Sequence, residues 1–131
     1  MERAGNAMTG NNGAVRVLVV DDEVELAAAV AHGLREEGFD VDVTNDGKDG
    51  YERARSATYD AIVLDADELS EPAAAFMAAS PIPVVVCSRS TEPAVHEQFW
   101  SFGARTVLLK PFPMEELGSA IFVALMVGSD R

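Results

Sequence analysis

Four short aliphatic runs, each closing on a polar mark, constrain this chain more than any other feature. Residues 17–20 run into Asp21 and Asp22, and residues 61–64 run into Asp65. Residues 83–87 run into Ser88, and residues 107–109 run into Lys110 and Pro111. Unbroken Val, Ile and Leu without polar alternation mark strands buried on both faces, which are strands of parallel sheets covered by helices. In one parallel sheet every such polar end falls on the same edge, where open α/β sheets take their ligands.

The segments between the runs read mostly as helices. Val24, Ala27, Ala28, Ala31 and Leu34 recur at helical spacing, with Gly38 as a stop. Asp46-Gly47 is a turn signal that also caps a helix running to about Ser56. An acidic loop follows Asp65, and residues 73–79 then give a short helix at best before Pro81 and Pro83. Val95, Phe99 and Phe102 mark a fourth helix closed by Gly103. Met114, Leu117, Ile121 and Ala124 form the buried stripe of the last helix. One further strand comes from Phe39, Val41 and Val43, which alternate with Asp40, Asp42 and Thr44 as a half-exposed edge strand does. The order is βαβαβαβαβα, with right-handed crossovers. The expected fold class is α/β, a doubly wound five-stranded parallel sheet with a shortened third helix. It should span residues 15–127, between a disordered lead-in at 1–14 and a tail at 128–131.

Composition narrows the function. With 131 residues, 48% of them hydrophobic, the chain suits one domain with a full core and shows no internal repeat. A net charge of −12 argues against direct nucleic acid binding, and no Lys/Arg run suits an anionic membrane. No apolar stretch is long enough to span a bilayer. The lead-in lacks the apolar centre of a signal peptide, and Met8 offers an alternative start. The single cysteine, Cys87, excludes an internal disulfide and reads as a small buried hydrophobe, compatible with a reducing cytoplasm. His32 and His96 match no ligand pattern and read as surface residues.

Asp21-Asp22 alone suits the first turn of a helix, where acids complement the dipole. Asp65 on the same edge changes the balance, because two unit charges ~4 Å apart repel by about 4 kcal/mol at an effective dielectric of ~20. Such a cluster needs a cation. Hard oxygen donors with open water positions suit Mg²⁺, and Lys110 adds a second positive charge beside it. At these residues the chain resembles the receiver domain of two-component response regulators, a flavodoxin-like fold, over residues 15–127. The resemblance implies that Asp21 and Asp22 help bind Mg²⁺ and that Asp65 accepts a phosphoryl group from a histidine kinase or phosphotransfer protein. Asp65 and the backbone carbonyl of Asp67 would join the metal site. Ser88 and Lys110 match the hydroxyl and lysine that contact phosphoryl oxygens, and the Lys110-Pro111 bond is expected to be cis. The family switches a protein contact on phosphorylation, a two-state element biased by a local charge. It catalyses its own phosphorylation and dephosphorylation and is not a turnover enzyme.

Several features depart from the family pattern. The stretch between Asp65 and Ser88 is shorter, and its loop is acidic at Asp67 and Glu68, which also read as solvated loop acids. Arg89 stands where a small residue is usual; it either folds over the cleft onto Asp67 or Glu68 or points to solvent. Val107 replaces the aromatic residue that reports phosphorylation, and the last helix lacks the basic residues that pair receivers in winged-helix regulators. Arg105 sits where fifth-strand acids are common in those regulators. Phe122, Val123, Met126 and Val127, with Trp100, either lie against the core or make an apolar patch for a dimer or partner on the face of the fourth helix, fifth strand and last helix. These departures support an alternative, a phosphorylation-independent binding module. Asp65-Ala66-Asp67 also resembles the opening motif of haloacid-dehalogenase-type phosphatases, but there it normally follows the first strand.

Overall fold

The computed structural model describes residues 13–56 and 58–126. The elements are β1 (Arg16–Val20), α1 (Val24–Glu36), β2 (Asp40–Thr44), α2 (Gly47–Ser56) and β3 (Ala61–Asp65), then α3 (Glu71–Ala79), β4 (Val84–Ser88), α4 (Pro93–Ser101), β5 (Thr106–Leu109) and α5 (Met114–Met126). All strand pairings are parallel, in the order β2-β1-β3-β4-β5. This is the doubly wound sheet the apolar runs predict. Of the expected lead-in only residues 13 and 14 are described, and the tail at 128–131, with Met8 and Val127, lies outside the described residues.

The pleat divides each strand between two cores. Val17, Val19, Val63, Val85 and Cys87 pack against Ala27, Ala31 and Leu34 of α1 and Leu117, Ile121 and Ala124 of α5. Leu18, Val20, Ile62, Leu64, Val84 and Val86 face the other way, toward Ala54 of α2, Phe76 and Met77 of α3 and Phe99 of α4. Covered on both sides, the middles of these strands hold only apolar side chains, and the polar residues Asp65 and Ser88 come at the last positions of β3 and β4. At the opposite, amino end, Arg16 gathers acids: its guanidinium lies 3.4 Å from Asp40 and 3.2 Å from Asp42 and stacks 4.8 Å over the Tyr59 ring.

Three local features differ from the pattern in the sequence. Helix α3 starts at Glu71, earlier than its run of small residues suggests, because Ser70 accepts a hydrogen bond from the Ala73 N–H at 3.2 Å and Pro72 fits the first turn. It remains a short helix. Phe102 lies past the end of α4 rather than on its buried stripe, and it is exposed where Gly103 turns the chain at a φ of 110°. His96 is half-buried, not a surface residue: its Nε2 sits 2.7 Å from the Ser90 carbonyl, which can only accept, so this nitrogen carries the proton. His32 is exposed as expected, 3.3 Å from Glu36.

Helices α1 and α5 approach closely at glycines: a Cβ on Gly33 would meet Met114 at 2.7 Å, and one on Gly118 would meet Glu37 at 2.6 Å. Arg105 donates to the Ala124 carbonyl at 2.9 Å, tying β5 to the last turn of α5. Phe122 stacks on Phe39 with ring centroids 5.4 Å apart, yet it is still half exposed, as is Trp100. Val123 and Met126 are exposed beside it.

Candidate functional site

The strand register assembles the carboxyl edge. Val20 pairs with Leu64, so Asp21 and Asp65 each stand one position further on adjacent strands. Asp65 pairs with Cys87 and Ser88 with Leu109, which brings Lys110 to the same edge, and the Lys110 N–H donates to the Ser88 carbonyl at 2.8 Å. The Lys110-Pro111 bond that follows is cis.

Asp21 is only 5% exposed. Its N–H donates to the Thr44 carbonyl at 3.1 Å, its carbonyl accepts from Asn45 Nδ2 at 2.8 Å, and its Oδ1 accepts from the Glu23 N–H at 2.9 Å. Burial pushes its carboxyl above the usual carboxylate range; the Asp65 charge adds to the rise, while the Glu23 N–H and Lys110 oppose it. Asp22, next in the chain, is exposed. Lys110 Nζ hydrogen-bonds Asp65 Oδ1 and lies 3.6 Å from Asp67 Oδ1. Burial alone would lower the Lys110 pKa, but the bond to Asp65 and the charges of Asp65 and Asp67 outweigh it, so the ammonium is held above its ordinary value.

Ser88 is fully buried. Its Oγ donates to the Asp67 carbonyl oxygen at 3.2 Å and accepts from the Ser90 N–H at 3.1 Å. Arg89 folds onto Asp67: its backbone N–H donates to Oδ1 at 2.9 Å, and Nε and Nη2 donate to Oδ2 at 3.2 and 2.8 Å. The Arg89 N–H, followed by its guanidinium and Lys110, holds the Asp67 carboxyl below the usual range against a smaller rise from burial. Cys87 lies behind the edge, buried, with its thiol pushed up to about 12 by burial and by the Asp65 charge.

An open cleft of about 1020 Å³ leads to this edge. Asp21, Asp22, Asp65, Asp67 and Glu68 line it, and Tyr51, Ala73 and Phe76 continue it between α2 and α3. The donor set consists of hard oxygens: the carboxylates of Asp21, Asp22 and Asp65 and the carbonyl of Asp67. That set suits Mg²⁺, which needs only one or two carboxylates and keeps several waters. Among the described residues no three His, Cys, Asp or Glu side chains already close around one point, because Asp65 is turned to Lys110 and Asp67 to Arg89. The edge thus fits the ion in chemistry and charge, with Asp65 held by Lys110 and Asp67 by Arg89. Every residue expected at the site reaches this edge. Sequence reasoning missed Asn45, which fixes the Asp21 backbone, and the bond from Ser88 to the Asp67 carbonyl; neither has a periodic or motif signal.

Sheet and edge together define a class, the flavodoxin-like α/β domains with acids and a lysine at the carboxyl ends of their strands. Residues 17–68 match the family model described as response regulator receiver domain. This match and the fold support a response regulator receiver domain. Response regulator ArlR of Staphylococcus saprophyticus is 32% identical over 106 residues, which cover 78% of this chain and 48% of that protein. Transcriptional regulatory protein PrrA of Mycobacterium leprae is 36% identical over 107 residues, covering 78% of this chain and 46% of that protein. The chain thus spans about half the length of the curated relatives it matches. The signal receiver domain of NarL from Mycobacterium tuberculosis superposes with a TM-score of 0.77 at 27% identity, covering 88% of this chain and 98% of that one. Chemotaxis protein CheY4 of Vibrio cholerae gives 0.76 at 26% identity, with 86% and 99% covered. The family-model match ends at Glu68, inside the loop between β3 and α3.

Proposed function

We propose that this chain accepts a phosphoryl group on Asp65 from a histidine kinase or phosphotransfer protein and passes the signal on as a changed protein contact. The observation that carries the reading is the Lys110 ammonium hydrogen-bonded to Asp65, beside a buried Asp21, at the carboxyl edge of the sheet. An Asp65 oxygen forms a bond to phosphorus while the P–N bond of the donor histidine breaks, and the imidazole nitrogen leaves with the bonding pair. Lys110 follows the charge from the carboxylate to a phosphoryl oxygen. The Ser88 hydroxyl, released from the Asp67 carbonyl, donates to another, and the β4–α4 turn moves with it. Asp21, Asp22, Asp65 and the Asp67 carbonyl would hold Mg²⁺, which when bound neutralises the transferring oxygens.

In this reading residues 15–127 are the receiver unit. The contact surface is the face of α4, β5 and α5, where Trp100 and Met126 are exposed, and it serves a homodimer or a partner protein. The chain acts in the cytoplasm without touching nucleic acid or membrane, and its chemistry is limited to gaining and losing the phosphoryl group. No helix among the described residues is long and apolar enough to cross a membrane.

Intact-mass measurement after incubation with Mg²⁺ and acetyl phosphate tests the reading. The parent chain should gain one phosphoryl group and the Asp65→Asn chain none. A parent that gains nothing from acetyl phosphate or from a phosphorylated kinase overturns it. The second reading, a binding module independent of phosphorylation, would then stand. It draws support from the Arg89 grip on Asp67 and from Val107, a side chain with no ring to swing.

A further inference from the structure

The turn after β4 carries an arginine beside the phosphoacceptor edge, and its partner is an acid two residues past Asp65. Arg89 contacts the Asp67 carboxylate through three donors, at 2.9, 3.2 and 2.8 Å. Lys110, bonded to Asp65, approaches the same carboxylate at 3.6 Å. Asp67 therefore sits between two cations, one of which already serves Asp65. Its carboxylate, gripped by a guanidinium fork and a backbone N–H, occupies a site whose donors suit a phosphoryl group equally well. A phosphoryl group brings about −1.5 to −2 of charge and three acceptor oxygens, more than a single carboxylate offers. The Arg89 side chain is 60% exposed, so it can change partners without opening the core.

We propose that Arg89 is a phosphoryl-binding residue of this chain, a third donor beside Lys110 and Ser88 that Asp67 holds in reserve until Asp65 is modified. The inference rests on Asp65 being the phosphoacceptor. With acetyl phosphate as donor, an Asp65 oxygen bonds to phosphorus as the P–O bond to acetate breaks, and acetate leaves with the bonding pair. Arg89 exchanges one anion for another, and no proton moves.

The test follows mass gain from acetyl phosphate, and its decay once the donor is removed, in the parent, Asp67→Asn, Arg89→Ala, Arg89→Lys and the double Asp67→Asn/Arg89→Ala chain. Asp67→Asn keeps its backbone carbonyl but loosens the grip on Arg89, so it should take up phosphoryl several-fold faster and hold it longer, an effect of one charge-assisted contact. Arg89→Ala should slow uptake by about tenfold, the worth of one hydrogen bond to a charged group, and raise the donor concentration for half-maximal rate. Arg89→Lys should recover part of the loss, and the double variant should lose the gain of Asp67→Asn. Thermal melts of each variant fix a temperature at which all are folded. Faster uptake by Arg89→Ala overturns the proposal in favour of a passive lid. Unchanged rates with only a lower melting temperature overturn it in favour of a structural tie. No mass gain in any variant overturns the phosphoacceptor reading, and this inference with it.

Discussion

Asp21 and Asp67 follow adjacent strands and respond to pH in opposite senses. Burial raises the Asp21 pKa, so the folded chain holds its proton more tightly than the unfolded chain does. Its ionised form is a destabilising element, fully felt above that raised value and relieved as pH falls toward the usual carboxylate range. Asp21→Asn should stabilise the protein at neutral pH, because it removes a buried charge and its repulsion from Asp65. Urea melts should show that gain shrinking in acid. Mg²⁺ should raise the melting temperature of the parent and do so less for Asp21→Asn, because the ion and the substitution relieve the same charge. Asp67 has a lowered pKa, so its bond to Arg89 stabilises the fold above the usual carboxylate range and lets go as pH falls through the lowered value. Acidification should therefore help the fold through Asp21 before it harms it through Asp67.

Helix α5 depends on β5 for its last turn. Arg105→Ala leaves the Ala124 carbonyl without its 2.9 Å donor and removes a cation from a helix C-terminus. It should cost about 1–2 kcal/mol in urea unfolding. The existence and order of the elements were legible because the apolar periods are strong: continuous for β1, β3 and β4, alternating for β2, helical for α1 and α5. The margins were less so. Helix α3 begins with Glu71-Pro72, residues that read as loop until Ser70 is seen capping them, and Phe102 mimics a helical stripe that stops one residue earlier. His96 owes its half-buried position to a carbonyl six residues away, a contact with no counterpart in spacing.

The charges of the whole molecule are partly partitioned, with Arg16 binding acids at the amino end of the sheet and Lys110 and Arg89 at the carboxyl end. A net charge of −12 remains. Self-repulsion of that size weakens the compact state, so added NaCl should raise the melting temperature at neutral pH as screening shortens the Debye length. The identities of the edge residues could be read from the ends of the apolar runs, because a parallel sheet aligns those ends. Which side chain holds which could not, since Arg89 had two plausible directions and only the loop geometry chose Asp67. The ion pair between Asp65 and Lys110 spans 45 residues of chain. On a ribosome the acids Asp21, Asp22 and Asp65 all emerge before the lysine that neutralises them. The nascent chain therefore carries these three acids without their lysine until nearly the whole domain has been made, and β5 closes the sheet and brings that charge in one step.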